Sequence, residues 1–259
     1  MAFLFAFNAS ITSAKPCELL NAAFKSENFT ASQPLGTYQH PFQRDLSTYN
    51  RAFFGGHDGA LSLQKIIPNG GVAIDLGGGV GVAYRELASS LQKSQFIVVS
   101  TQPVQSEIVP EALRNTPQNF QHKVGWAEEL LRTLPQADAI TDFWGAFSYS
   151  TEKAFLLEQI YSKLKPGGQA FLLFHPEKTP TFVRDSKGNL IALHTWLAAH
   201  YPKIISISPS FDLRSFRAKI IRIQKPADQE GWELPLTISQ SWVQKLSGFP
   251  MLHYQIKAN

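Results

Sequence analysis

The sequence predicts an α/β fold in which a seven-stranded, mostly parallel sheet with an antiparallel seventh strand carries helices on both faces and a helical N-terminal cap. From Val72 onward, apolar strand-like segments alternate with helical segments, which is typical of a parallel sheet covered by helices. The first strand leads directly into a glycine-rich turn. The last two strand-like segments are joined near Asp212 by a turn too short for a parallel crossover, so we expect that pair to be antiparallel.

The first 69 residues are predicted to form a helical cap. Helices are expected over 17–25, where Pro16 suits the first turn, over 43–54 and over 59–67, because polar turns and glycines separate these segments. The apolar start, MAFLFAFNASITSAKP, has no basic residue before its apolar run, which favours a packed N-terminal arm over a signal peptide.

Residues 70–225 are predicted to form the main domain. Its five parallel strands are expected at 72–76, 95–100, 120–125, 137–144 and 169–174, its helices at 82–93, 106–115, 127–134, 150–164 and 190–201, and its closing hairpin at 203–211 and 216–225. Residues 226–259 are interpreted as a C-terminal appendage with one helix, over 239–246.

The composition indicates a globular protein without a membrane span or a cysteine framework. Hydrophobic residues make up 44% of the chain, which is ample for a large core, and no segment approaches the roughly 20 apolar residues of a transmembrane helix. The single cysteine, Cys17, excludes an internal disulfide, and the histidines lack metal-ligand spacing, so we expect no metal and a cytoplasmic location. The net charge of +4 is compatible with nucleic acid or an acidic substrate without favouring either.

The stretch AIDLGGGVGVAYREL, residues 73–87, is typical of turns in which backbone N–H groups and a helix N-terminus face a ligand. The dinucleotide fingerprint GxGxxG requires a glycine where this chain has Val82, and no GxxxxGK[ST] loop is present. What remains is an acid at the strand end, Asp75, followed by GxGxG at Gly77, Gly79 and Gly81.

These residues resemble motif I of the class I S-adenosylmethionine-dependent methyltransferases. The resemblance extends to LPQADAITDFW, which is similar to the family's fourth strand, and to IYSKLKPGGQAFLLF, which is similar to its helix, LKPGG passage and fifth strand. The closing hairpin is similar to the family's reversed seventh strand. The resemblance covers residues 70–225 and implies S-adenosylmethionine as the cofactor and methyl transfer as the reaction.

The resemblance also implies a role for each matching residue. The backbone of Gly77 and Gly79 would let the methionine part of the cofactor lie across the strand ends. Asp75 would hold the cofactor's ammonium group, directly or through water, with helix capping as its alternative role. Arg51, or alternatively Arg44, would contact the cofactor's carboxylate. The implied cofactor-binding positions are Asp75, Gly77, Gly78, Gly79, Gly81, Ser100, Thr101, Trp126, Ala127, Asp142, Phe143 and Arg51.

Two positions depart from the family pattern. The family's second strand normally ends in an acid that binds the ribose hydroxyls, whereas this chain has Ser100 and Thr101, and a neutral hydroxyl bonds more weakly than a carboxylate. Gln102 is a candidate to compensate. Where the family often reads GDAE, with the acid on the adenine amino group, this chain reads GWAE. We expect Trp126 either to stack on adenine or to be ordinary core, with the following glutamates as candidates for the amino group.

The methyl acceptor is expected between the N-terminal segment and the loops after the fourth and fifth strands. His175, directly after FLLF, and Tyr49 are the predicted catalytic residues, although a general base is needed only where the acceptor must lose a proton. A polar loop residue is the alternative role for His175. The full set of polar candidates there is Tyr38, His40, Tyr49, His57, Tyr149 and His175.

The predicted acceptor is a small molecule methylated at oxygen or nitrogen. The segment DFWGAFSYS lacks the NPPY or DPPY signature of amino-methylating enzymes, and Cys17 lies outside the expected active-site loops. The basic hairpin DLRSFRAKIIRIQK leaves nucleic acid open as an acceptor without favouring it, because charged edge strands also discourage aggregation. Two further functions stay open: methylation of a protein, and binding without turnover by a methyltransferase-like protein.

Overall fold

The structure is a computed structural model that describes residues 44–55, 61–101, 103–104, 109–210, 217–228, 231–243 and 250–257. The predicted helix over 17–25 lies outside these residues, as do Tyr38, His40, His57 and Gln102. The described helices are α1 (Leu46–Phe54), α2 (Leu63–Ile66), α3 (Val82–Ser90), α4 (Ala127–Leu130), α5 (Ala146–Tyr149), α6 (Lys153–Lys163) and α7 (Leu193–His200). Short 3-10 helices lie at Glu111–Leu113 and Leu131–Thr133.

The strands form two sheets. They are β1 (Val72–Leu76), β2 (Gln95–Ser100), β3 (Phe120–Val124), β4 (Ala137–Phe143), β5 (Leu164–Phe174), β6 (Thr181–Arg184), β7 (Leu190–Ala192), β8 (Ile205–Pro209), β9 (Lys219–Gln224), β10 (Leu236–Val243) and β11 (Pro250–Ile256). The main sheet has seven strands in the order β3-β2-β1-β4-β5-β9-β8, and the second has four in the order β10-β11-β6-β7.

The main sheet contains one reversed strand. Neighbours are parallel from β3 through β5, whereas β9 runs antiparallel to both β5 and β8. The dinucleotide-binding fold has six parallel strands in the order 3-2-1-4-5-6. The main sheet of this protein differs from it because the antiparallel strand β9 is inserted between β5 and β8. The predicted fold class, a seven-stranded and mostly parallel sheet with an antiparallel seventh strand, is therefore confirmed.

Helices cover both faces of the main sheet because its central strands are apolar on both sides. In β2, for example, every residue after Gln95 is buried. One face packs against α1 and α3 through Tyr49 and Tyr84. The other packs against α6 and α7 through Leu157 and Trp196. Two apolar cores, one on each side of the sheet, therefore hold the strand ends in fixed positions.

The second sheet corrects the prediction for the C-terminal residues. The helix predicted over 239–246 is wrong where the structure describes it, because residues 239–243 belong to β10, which pairs antiparallel with β11. In LTIS, Leu236 and Ile238 alternate with polar residues at a period of two, which is the pattern of a strand. The partner strands β6 and β7 belong to the segment predicted as the main domain, and β11 pairs with β6 in parallel.

Several predicted boundaries also differ. The helix predicted over 190–201 begins only at Leu193, because residues 190–192 pair with β6 as β7. The strand predicted over 169–174 begins at Leu164, within LKPGG, and pairs with β4 through an irregular register. Of the helix predicted over 106–115, the described part contains only the 3-10 turn at Glu111–Leu113, which follows Pro110. Strand pairing and proline, rather than local propensity, decide these positions.

The ends of β1 and β4 approach each other through two glycines. A Cβ on Gly145, in the loop after β4, would lie 2.0 Å from the carbonyl oxygen of Leu76. A Cβ on Gly77, directly after β1, would lie 2.4 Å from the Cα of Gly145. Because the facing atoms are backbone, no side-chain rotation relieves such a clash. Gly77 and Gly145 therefore fix the spacing of these two loops.

We predict that Gly145→Ala destabilises the protein through this backbone contact. The loss is expected to come from overpacking against this backbone and to reach about 3 kcal/mol. Urea unfolding measures it. Gly231→Ala is the matched control, because a Cβ there meets nothing within 4 Å. Equal stability of the two variants would contradict the prediction.

Candidate functional site

The candidate site lies at the carboxyl ends of the parallel strands, where the strand order reverses between β1 and β4. Ligands of open α/β sheets bind at this switch point. The turn after β1 lies there, with left-handed backbone at Gly77, Gly79 and Gly81, whose φ values are 80°, 60° and 73°. A Cβ on Gly79 would meet no atom of the described residues within 4 Å, so among these residues this side of the turn faces open space.

Asp75, the acid at the end of β1, is 1% exposed and held by protein hydroxyls. Tyr49 of α1 donates to Asp75 Oδ2 at 2.7 Å, and Thr141 of β4 donates to Oδ1 at 2.7 Å. The hydroxyl of Tyr84, on α3, hydrogen-bonds that of Thr141 at 2.9 Å. A Cβ on Gly78 would lie 1.9 Å from Oδ2. The resemblance implies that Asp75 would hold the cofactor's ammonium group. Both oxygens of its carboxylate, however, already accept hydrogen bonds from within the protein.

Two carboxyl groups at this site have strongly raised pKa values. Burial raises the pKa of Asp75 to about 6, although its hydroxyl donors and the charge of Arg44 lower it. Asp142, near the end of β4, accepts hydrogen bonds from the N–H groups of Gly145 at 2.6 Å and Phe147 at 2.7 Å. Burial raises its pKa to about 7 despite these bonds. Both groups therefore titrate close to neutral pH.

Arg44, rather than Arg51, lies beside the strand ends. Its guanidinium donates to the carbonyl oxygen of Phe143 and lies 5.0 Å from the centre of the Phe143 ring. The ring of Phe143 also packs against that of Tyr49, with 5.1 Å between centroids. Arg51 is exposed on α1, and its charge acts on Asp45. Arg44 therefore contacts the end of β4, whereas Arg51 is exposed on α1.

Ser100, at the end of β2, is paired with a histidine that no sequence motif includes. The Oγ of Ser100 lies 2.9 Å from Nε2 of His122 on β3, and the same nitrogen lies 3.2 Å from the carbonyl oxygen of Gly79. Burial lowers the pKa of His122, and the charge of Arg85 acts in the same direction. A neutral imidazole thus joins Ser100 to the glycine turn. Thr101, the next residue, is exposed.

Trp126 and Ala127 stand at the start of α4. The carbonyl oxygen of Trp126 accepts hydrogen bonds from the N–H groups of Glu129 and Leu130, which fixes the backbone there. Trp126 as a whole residue is half-buried. Ala127 is buried in the core, and only its backbone can therefore contribute to a site.

Unsatisfied polar atoms gather in the segments after β4 and β5. Among the described residues, Trp144 Nε1, Ser148 Oγ and His175 Nδ1 are buried without a hydrogen-bond partner, a state that costs about 1–3 kcal/mol for each group. Trp144 also has a φ of 52°, a conformation that bulky residues rarely adopt. Burial lowers the pKa of His175, and Lys178 adds to this effect. Tyr149, the last residue of α5, is half-buried nearby in the chain.

Lys153, the first residue of α6, is a further buried charge that the motifs do not predict. Its Nζ donates to the carbonyl oxygen of Ser150 at 3.1 Å. Burial lowers its pKa to about 7, against the attraction of Glu128 and Asp142. A cation in the first turn of a helix opposes the helix dipole, and this is a sequence signal that could have marked it. His122 carries no comparable signal.

Two kinds of feature are absent from the described part of the chain. Its His, Cys, Asp and Glu side chains form no group of three or more that could hold a metal ion. Within the same residues, no helix combines the length and the apolar character needed to cross a membrane.

Comparison with solved structures finds methyltransferases at low sequence identity. One is a complex of the Trm112 methyltransferase activator of Haloferax volcanii with a protein described as a methyltransferase (16% identity, 64% of this chain and 87% of that chain, TM-score 0.46). Another is described as a sarcosine dimethylglycine methyltransferase of Galdieria sulphuraria (14%, 64% and 82%, TM-score 0.45). A third is a TehB-like SAM-dependent methyltransferase of Corynebacterium glutamicum (14%, 63% and 84%, TM-score 0.41). No protein-family model and no curated protein matches the chain.

Because these TM-scores are below 0.5, the fold is assigned from the topology. The order of the main sheet and the reversal of β9 give the chain the class I S-adenosylmethionine-dependent methyltransferase fold, as the sequence predicts. The glycine turn lies at the switch point of that sheet, between β1 and α3. The resemblance drawn from the motifs is therefore confirmed at the level of the fold.

We predict that Asp75 makes stability fall as the pH rises. Its pKa is higher in the folded than in the unfolded chain, so the folded state binds more protons between pH 4 and 6. The stabilisation is complete below the unfolded pKa of about 4 and is lost as the pH passes the folded value. Relative to Asp75→Asn, the wild type should lose about 3 kcal/mol of unfolding free energy between pH 4 and 7.

Chemical denaturation across this pH range measures the difference. Glu111→Gln, at an exposed carboxylate, controls for the loss of one negative charge. A difference between wild type and Asp75→Asn that stays constant with pH would show that the carboxyl group does not titrate in this range.

Proposed function

We propose that the protein is an S-adenosylmethionine-dependent methyltransferase that transfers a methyl group to an oxygen or nitrogen of a small molecule. The observation that carries the proposal is the glycine turn at the switch point. Gly79 has a left-handed backbone and faces open space that any side chain would begin to fill. Such a cradle lets backbone approach a ligand closely, and it fits the methionine part of this cofactor.

The residues around the turn would hold the cofactor from several sides. Ser100 and Thr101 are proposed to face the ribose, and Trp126, which is half-buried, is proposed to face adenine. Asp142 and Phe143 close the side of β4. When bound, the cofactor would supply an electrophilic methyl group on a sulfonium. The chain's contribution is then mainly to orient the acceptor's nucleophile in line with that methyl group.

In this proposal Asp75 and Tyr49 have roles that differ from those that the family resemblance implies. Both oxygens of Asp75 accept hydrogen bonds from within the protein, so we assign this acid to the support of the turn, with any contact to the ammonium group made through water. Tyr49 ties α1 to β1, which supports a cap formed by residues 1–69. Arg44, beside Phe143, is the cation proposed to face the cofactor's carboxylate.

The acceptor is proposed to bind near the segments after β4 and β5. Trp144 Nε1 can only donate a hydrogen bond, so an acceptor with an oxygen there would relieve its unsatisfied state. The low pKa of His175 keeps its imidazole neutral at pH 7, and it can therefore accept a proton from a hydroxyl or ammonium group. These atoms support an acceptor that is itself polar.

A small acceptor is favoured over nucleic acid by the contacts of the closing hairpin. Arg217 pairs with Glu177 at 2.9 Å, and Arg222 donates to Gln169 at 2.9 Å. These cations are therefore partly neutralised or engaged within the protein, which weakens a phosphate-binding role. The proposal keeps the cytoplasm as the place of action, since one cysteine offers no disulfide framework.

Isothermal titration calorimetry with S-adenosylhomocysteine tests the proposal. We predict binding with a Kd between low micromolar and submillimolar, abolished by Gly79→Arg because the new side chain enters the cradle. Gly188→Arg is the matched control, since Gly188 also has a left-handed backbone, with a φ of 85° and open space around it, but lies between β6 and β7. It should carry similar strain and bind normally.

The absence of heat with S-adenosylmethionine and with its demethylated product would overturn the proposal. Binding without transfer of a labelled methyl group to any acceptor in a metabolite mixture would instead favour a methyltransferase-like protein that binds without turnover.

A further inference from the structure

We propose that His122 and Ser100 together form the edge of the site that recognises the ribose hydroxyls of the cofactor, in place of the acid that ends the family's second strand. This inference rests on the proposed function and deepens it. It assigns a specificity role to a residue on β3, which no motif of the resemblance includes.

The geometry that carries the inference is a single imidazole nitrogen shared between two elements. Nε2 of His122 lies 2.9 Å from Ser100 Oγ and 3.2 Å from the carbonyl oxygen of Gly79. His122 reaches both because it pairs with Val98 across the β2–β3 ladder, two residues before Ser100. The three polar groups therefore meet at the carboxyl end of β2, next to the glycine turn.

The carbonyl of Gly79 determines the tautomer of His122. A carbonyl oxygen can only accept a hydrogen bond, so Nε2 must carry the proton to bond it. That single N–H serves both oxygens as a bifurcated donor, shared between the Gly79 carbonyl and the Ser100 hydroxyl, which accepts from the imidazole. His122 thus sets the orientation of the Ser100 hydroxyl and the position of the glycine turn at once.

This arrangement suits a pair of ribose hydroxyls by chemistry that differs from that of a carboxylate. Each ribose hydroxyl both donates and accepts, as does the Ser100 hydroxyl, whereas an ionised carboxylate only accepts. Arg85, whose Nε donates to the carbonyl oxygen of Val80, places a positive charge near His122 and so disfavours a second proton on the ring. The edge that faces the ribose is therefore neutral.

A double comparison of protein and ligand tests the inference. The ligands are S-adenosylhomocysteine and its analogue without the 2′- and 3′-hydroxyls, titrated by calorimetry into wild type, His122→Leu, His122→Gln and Ser100→Ala. We expect His122→Leu and Ser100→Ala to weaken S-adenosylhomocysteine about five- to tenfold and the analogue less than twofold. His122→Gln, which keeps a side-chain N–H, should restore most of the affinity.

Gln121→Ala serves as the matched control, because Gln121 is the exposed neighbour of His122 on the same strand. A second readout needs no ligand: the ring nitrogens of His122 in 15N NMR spectra should show the neutral tautomer with the proton on Nε2. The opposite tautomer would overturn the inference.

The remaining outcomes separate the two proposals. If the wild type binds S-adenosylhomocysteine but the variants lose both ligands equally, His122 merely supports the turn and the inference fails alone. Unchanged affinities in all variants would overturn it in the same way. If the folded wild type binds neither ligand, the proposed function fails and the inference with it.

Discussion

The buried carboxylate of Asp75 is the interaction on which the site depends. Its two oxygens accept hydrogen bonds from Tyr49 on α1 and Thr141 on β4, and Tyr84 on α3 extends the network. A carboxyl group buried so completely is costly unless donors surround it. These two donors come from α1 and β4, and Tyr84 holds the Thr141 hydroxyl in place, so neither α1 nor β4 can shift without leaving that group unsatisfied. The glycine turn is consequently held between a fixed acid on one side and the backbone of Gly145 on the other.

Three fully buried ionisable groups belong to β1, β4 and the start of α6. Asp75 and Asp142 have pKa values raised by burial, and Lys153 has one lowered by burial. Each pKa is shifted because burial in the apolar core disfavours the charged form of the side chain. Such perturbed groups cluster more often at functional sites than elsewhere, although structural networks also produce them. Here Asp75 joins α1 to β4 and Asp142 accepts N–H groups of the loop after β4, whereas Lys153 has no evident role in the proposed reaction.

The sequence predicts the parallel sheet well because strands such as VAIDL and QFIVVS are apolar throughout, which is typical of strands covered on both faces. The prediction fails at SQSWV, where a short amphipathic segment suits either a helix or a strand until its partner is known. The site is predicted only in part. Asp75 and Ser100 stand in motifs, but their partners Tyr49 and His122 lie 26 and 22 positions away and are chosen by packing.

The parallel pairing of β11 with β6 has a consequence for the order of folding. Leu252 lies opposite Thr181, so this ladder closes a loop of about seventy residues that contains α7, β8, β9 and β10. β11 is also the last described strand to be synthesised, so this pairing can form only after the whole of that loop has emerged. During synthesis β6 and β7 emerge first and must wait for β11, while β1 to β5 can already assemble. The second sheet is thus a late closing step, and until it forms, β6 and β7 lack the neighbour that joins them to β10.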